Sequence, residues 1–152
     1  MEWKIVRERS LGIFEGKIHD LCHAQLTVEE AIEDRNLLSW RVPNGESVVD
    51  LKLRVELFLD HLKNKIKEIK LNQPTILLVS HGLFLNELHN VLSTYRESGK
   101  MFIKGKIFQP NTGVSQYKIE LRENDKHINH VKCLLFASGD HLEREEKQEK
   151  RI

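Results

Sequence analysis

Cysteine, proline and long apolar runs are all scarce in this chain. Only Cys22 and Cys133 occur in 152 residues, and no signal-like apolar segment follows Met1. A disulfide framework is therefore not expected, whereas a reducing, cytoplasmic setting is. No apolar stretch approaches the ~20 residues that span a bilayer, so a soluble protein without a membrane partner is expected. Net charge is missing too. The 24 Lys and Arg residues face 23 Asp and Glu, a formal +1, so no bulk field draws the chain toward nucleic acid or anionic lipid, and any anion site must be local. Internal repeats and low-complexity linkers are also absent.

What remains reads as one α/β domain, a length at which roughly two thirds of the unfolded surface can be buried. The N-terminus carries a short apolar patch, Trp3, Ile5 and Val6, followed by charge and a turn region around Gly12 and Gly16. One or two short helices are predicted within residues 17–33, where Ile18, Leu21, Cys22 and Leu26 have helical spacing and Thr27 with Glu30 forms a capping pattern. Pro43, Asn44 and Gly45 mark a turn, and a helix is predicted from Ser47 to about Ile69, with Val48, Leu51, Val55, Leu59, Leu62, Ile66 and Ile69 as its apolar stripe. Asn72, Gln73 and Pro74 end it. "TILLVS" then has no polar alternation, which predicts a strand buried on both faces of a parallel sheet. Gly82 turns the chain into a second helix with Leu85, Leu88 and Leu92 as its stripe. "GKMFIKGKIFQPNTG" reads as loop, and "VSQYKIEL" and "HVKCLLFA" read as two strands of a hairpin. Residues 144–152 read as a charged tail.

In an open α/β sheet, ligands collect outside the carboxyl ends of the strands, and His81 falls at such a place. Gly82 and Leu83 after it would present backbone N–H groups at a helix start, which suits phosphate or carboxylate. A histidine at that point also has a bland reading, as a solvent-facing residue. Support comes from "RERSLGIFEG": Glu8, in a Gly-flanked loop, is a candidate general acid, and Arg7 and Arg9 have the fork geometry that pairs with phosphate oxygens. A surface charge cluster is the alternative there. Glu46 and Ser47 fit helix capping. His127 with His130, and His19 with His23, have the spacing of metal pairs but lack a third ligand, so no metal or other cofactor is expected.

Four segments in this order resemble the histidine phosphatase superfamily, in its phosphoglycerate mutase-like branch. "RERSLGIFEG" looks like the family's E-R-x-[FY]-G-x-x-E-G segment, and "VPNGESVVDLKLRVELFL" is similar to its P-G-G-E-[ST] turn and the arginine-bearing helix after it. "ILLVSHGLFLNELHNVL" resembles its strand with Ser-His-Gly, and "QPNTGVSQYKIEL" its late Asn-Thr-Gly. The ending "HVKCLLFASGDHLE" resembles the TIGAR type, the fructose-2,6-bisphosphatase-like members that act in glycolysis regulation. The likeness spans most of residues 5–143.

The resemblance implies a three-layer α/β/α fold with a mostly parallel sheet. It also implies phosphoryl transfer to a nucleophilic histidine, protonation of the leaving oxygen by an acid, and hydrolysis of the phosphohistidine. By motif match, Glu8 is the acid and His81 the second histidine that steadies the phosphoryl group, with Arg9, Gly82 and Asn111 as substrate contacts and a phosphorylated small molecule as partner. The family's nucleophile lies in an Arg-His-Gly motif that none of the 152 residues supplies. Residues 1–143 are accordingly expected to be the C-terminal part of one such domain, incomplete at the N-terminus and inactive as it stands. Low stability or self-association is also expected, because the edge of "TILLV" would lack a neighbour. The rival expectation is a non-catalytic remnant that binds phosphorylated ligands or a protein. Smaller departures are Leu11 in place of an aromatic residue and Asn44 in place of a glycine.

Overall fold

The computed structural model describes residues 4–17, 39–69, 73–95, 110–121 and 128–141. The helices predicted within residues 17–33, most of the loop before Asn111, the charged tail and the histidines His19, His23 and His127 lie outside the described residues. The chain divides into two compact units, Met1–Glu87 and Leu88–Ile152.

In the first unit the chain opens with two 3-10 turns, Lys4–Val6 and Gly12–Phe14. Helix α1 spans Val48–Ile69. Its start is a reciprocal cap: the Ser47 hydroxyl accepts from the Asp50 N–H (3.1 Å), while the Asp50 carboxylate accepts from both the Ser47 N–H and its hydroxyl at 2.7 Å. These bonds to Ser47 hold the Asp50 carboxyl below its ordinary range, and the Arg41 guanidinium at 2.6 Å adds to the effect. Two orphan donors of the first turn are thereby satisfied. Leu51, Val55, Phe58 and Leu59 are buried, as the periodicity predicts for Leu51, Val55 and Leu59. The predicted stripe fails at its far end, where Ile69 is exposed. Beside α1, Phe14, Trp40 and Val42 form a small buried cluster with Leu11 packed on it.

"TILLVS" is the main correction. Residues 75–80 join no sheet and make no backbone ladder with any other described residue. Leu77 is 88% exposed and Val79 80%. A strand buried on both faces needs neighbours to hydrogen-bond its edges and helices to cover its faces, and the described residues supply no strand beside it. Ile76, Leu77 and Val79 are exposed, though in an unpaired segment and not along the edge of a strand. Residues 75–80 contain no charge and no proline, which makes them a template for pairing with the same segment of another copy. The chain is expected to elute from a sizing column as concentration-dependent oligomers, and Leu77→Lys with Val79→Lys to shift it to monomer. A parent chain that runs as a monomer at every concentration and melts cooperatively would contradict this.

Helix α2 spans Gly82–Ser93 and runs from the first unit into the second. Its buried positions include Phe84, Leu88, Val91 and Leu92. The predicted stripe had Leu88 and Leu92 correctly but Leu85 in place of Phe84, which is fully buried.

The second unit contains an antiparallel hairpin, β1 (Val114–Leu121) with β2 (Ile128–Ser138). Both strands of the predicted hairpin are present; β1 matches its predicted limits, and β2 extends beyond the predicted residues 130–137 at both ends. The register pairs Tyr117 with Cys133 and Ile119 with Val131. His89, buried on α2, sits 2.5 Å from the Tyr117 hydroxyl through Nδ1 and edge-on to Phe136. Burial, and then the neighbouring Cys133, push the Tyr117 phenol well above its ordinary range. The described residues therefore combine helices with an antiparallel sheet.

Candidate functional site

The segment "RERS" has little reason of its own to hold a shape, since its side chains are charged or small. Its order comes from Arg54 on α1. The Arg54 guanidinium donates all five of its N–H groups. Nε and Nη2 grip the Glu46 carboxylate at 3.1 and 2.8 Å, Nη1 reaches the carbonyls of Ile5 (2.8 Å) and Arg7 (2.7 Å), and Nη2 also reaches that of Glu8 at 3.3 Å. No other side chain has five donors in one plane. The pair is largely sheltered, with side-chain exposures of 12% for Arg54 and 16% for Glu46. Beneath it the Phe84 ring faces the guanidinium at 5.5 Å and meets Phe58 edge-on at 5.7 Å.

Glu46 is a second hub. Its carboxylate also accepts from Arg7 (3.1 Å) and from the Ser10 N–H (2.9 Å), its N–H donates to the Ser10 carbonyl, and its own carbonyl accepts from Arg9 Nε at 2.7 Å. The expected capping role of Glu46 is corrected accordingly: Ser47 and Asp50 cap α1, while Glu46 ties the turn to the N-terminal segment. The two turns also meet backbone to backbone. Ile13 N–H donates to Pro43 O at 3.1 Å, and Gly12, at φ +51°, lies so close that a Cβ there would stand 2.1 Å from Pro43 O. Asn44 adopts φ +61°, a left-handed conformation that asparagine tolerates better than most residues.

This scaffold brings the two predicted catalytic residues to one place. The Glu8 carboxylate accepts from the Arg9 N–H at 2.7 Å and from the Leu83 N–H, in the first turn of α2, at 3.3 Å. His81 immediately precedes α2, and its carbonyl accepts the Leu85 N–H at 2.9 Å. The ring of His81 is exposed and makes no hydrogen bond with another described residue. Ser80 anchors the same approach by donating to the Val6 carbonyl at 2.5 Å. Around Gly82 a Cβ would meet nothing within 4 Å, so the helix start is open on that side. Arg9 is close by, with Nε committed to the Glu46 carbonyl. Asn111 lies in the second unit, in the Pro110–Gly113 turn ahead of β1, where the Gly113 N–H donates to Pro110 O at 2.8 Å. Among the described residues no group of His, Cys, Asp and Glu is placed to hold a metal ion, and no helix is long and apolar enough to cross a membrane.

An acid and an imidazole at the start of a helix can bind a phosphoryl group and move a proton to a leaving oxygen. The hubs Glu46 and Arg54 were missed as site-builders by sequence reasoning. Their signal was a glutamate one residue before an N-cap and an arginine eight positions later, on the face of α1 shared with Leu51, Val55 and Phe58. A family model for the histidine phosphatase superfamily (branch 1) matches residues 2–133. No curated protein matches the chain.

Proposed function

The chain belongs to the histidine phosphatase superfamily, and from that premise we propose that it carries the acid and second-histidine half of a phosphatase site for a sugar bisphosphate, of the fructose-2,6-bisphosphatase (TIGAR) type. In the complete reaction a histidine nitrogen attacks phosphorus and the P–O bond to the sugar breaks. Glu8 gives its proton to the departing oxygen. Water then attacks phosphorus, the P–N bond breaks, and Glu8 recovers a proton from that water. His81 donates a hydrogen bond to the phosphoryl oxygens as charge develops on them. Gly82 leaves the phosphate room to approach, and Arg9 contributes a further contact; for Asn111 the same role rests on the motif resemblance alone. The full domain would have three α/β/α layers around a mostly parallel sheet and would work in the cytoplasm.

The observation that carries this reading is the Glu8 carboxylate resting on the Leu83 N–H, next to His81. The motif order Glu8, Glu46, His81, Asn111 supports the phosphatase reading, and the likeness of the ending supports the bisphosphatase type. Because Arg-His-Gly is not among these residues, the chain alone is expected to bind phosphorylated sugar without turning it over. Calorimetry with fructose-2,6-bisphosphate should show binding that His81→Ala weakens by roughly 10–100-fold, the range of one charge-assisted hydrogen bond, and no phosphate should be released. Binding that is indifferent to His81 would refute the site, and phosphate release by the chain alone would refute the missing-nucleophile reading. The second reading, a non-catalytic binder, rests on the same missing motif. It gains if joining an Arg-His-Gly strand to the chain restores no hydrolysis while binding persists.

A further inference from the structure

We propose that Arg54, held by Glu46, is the positioning residue for Glu8, an inference that rests on the reading of Glu8 as the acid and names what places it. Among the described residues no side chain hydrogen-bonds the Glu8 carboxylate, which accepts only from two backbone N–H groups, those of Arg9 and Leu83. The direction of the carboxylate is therefore decided by the backbone of residues 5–9, and that backbone is fixed from one side by Arg54. The carbonyls of Ile5, Arg7 and Glu8 all turn inward onto its guanidinium. A free loop would turn them out to water. Arg54 is itself fixed at both faces of its fork. Glu46 takes Nε and Nη2 in the bidentate manner, and the ring of Phe84 lies against the guanidinium. Phe84 belongs to α2, the same helix whose Leu83 N–H receives the Glu8 carboxylate. One guanidinium thus references the acid and the helix start to each other.

This differs from an ordinary stabilising ion pair, for which a lysine would keep the charge. A lysine has three donors at a single nitrogen and cannot span five acceptors arranged around a plane. Arg54→Lys should preserve the fold and lose the geometry.

The test uses 1H–15N spectra of the full chain. Glu8→Gln should move the Leu83 amide signal, because an amide oxygen replaces a carboxylate oxygen as its acceptor. Arg54→Lys should move the same signal in the same direction by a comparable amount, while the β1 amides and the far-ultraviolet helix signal stay at parental values. If Arg54→Lys fails to fold, Glu46→Gln, which exchanges one acceptor oxygen for a donor, should give the same displacement. A Leu83 signal that stays at its parental position in the folded variant would overturn the proposal, as would one that Glu8→Gln does not move. None of these spectra requires a phosphorylated ligand, so a failed binding experiment would refute the proposed function and leave this result standing.

Discussion

Phe84→Ala is expected to lower stability by about 3–5 kcal/mol. The ring is fully buried, so its loss removes both the transfer free energy of the side chain and the contacts of its neighbours with it. Those neighbours cannot close the gap easily. Phe58, held on α1, meets the ring edge-to-face, and Arg54 lies over the ring while committed to five acceptors elsewhere. The aromatic contact with Phe58 contributes on the order of 0.5–1.5 kcal/mol beyond burial, and the cation above the ring adds a further increment of about that size. For a protein of this length the loss corresponds to a fall in Tm of roughly 6–20 °C. Phe84→Leu should recover most of it, since volume is largely kept. Thermal melts of both variants check the point, and equal melting of Phe84→Ala and parent would show that the ring is not packed as described.

Gly12→Ala is expected to cost about 2–6 kcal/mol. The added Cβ would stand 2.1 Å from Pro43 O, 2.5 Å from Gly45 N and 2.7 Å from Asn44 C. All three are backbone atoms, so no side chain can rotate out of the way. The residue would also have to keep φ near +51°, which costs roughly 1–3 kcal/mol for a residue with a Cβ. Spreading the two turns would put at risk the hydrogen bonds from Ile13 to Pro43 and from Glu46 to Ser10, each worth about 0.5–1.5 kcal/mol. Gly16 provides the comparison. It has φ +77° but open space around it, so Gly16→Ala carries the backbone strain alone. Urea denaturation should therefore rank Gly12→Ala well below Gly16→Ala, and the reverse order would sink the close-approach argument.

Much of this was legible in the residues because local physics decided it. The stripe of α1 and the alternation in β1 are periodic signals that tertiary context did not override. Ser47 with Asp50 shows why the helix starts where it does. "TILLVS" was misread because composition reports what a segment would prefer, whereas burial depends on what lies beside it. Leu85 and Phe84 both precede Leu88 at helical spacing, by three and four positions, and only packing against Phe58 distinguishes them. The pairing of Glu8 with the start of α2 was accessible only through the order of the motifs, since 75 positions separate Glu8 from Leu83. Glu46 and Arg54 escaped notice for a different reason. A charged residue at a helix entrance has an adequate local explanation, and nothing local shows that its partner lies in an N-terminal loop.

The grip of Arg54 on the carbonyls of Ile5, Arg7 and Glu8 has an entropic side. Ordering a free backbone costs on the order of 1–2 kcal/mol per residue, and for this stretch that cost is met during folding, not at the encounter with a ligand. If an anion binds at the head of α2 as proposed, it would meet a loop that is already in place. Its affinity would then be governed by the contacts it makes and not by the disorder it must remove.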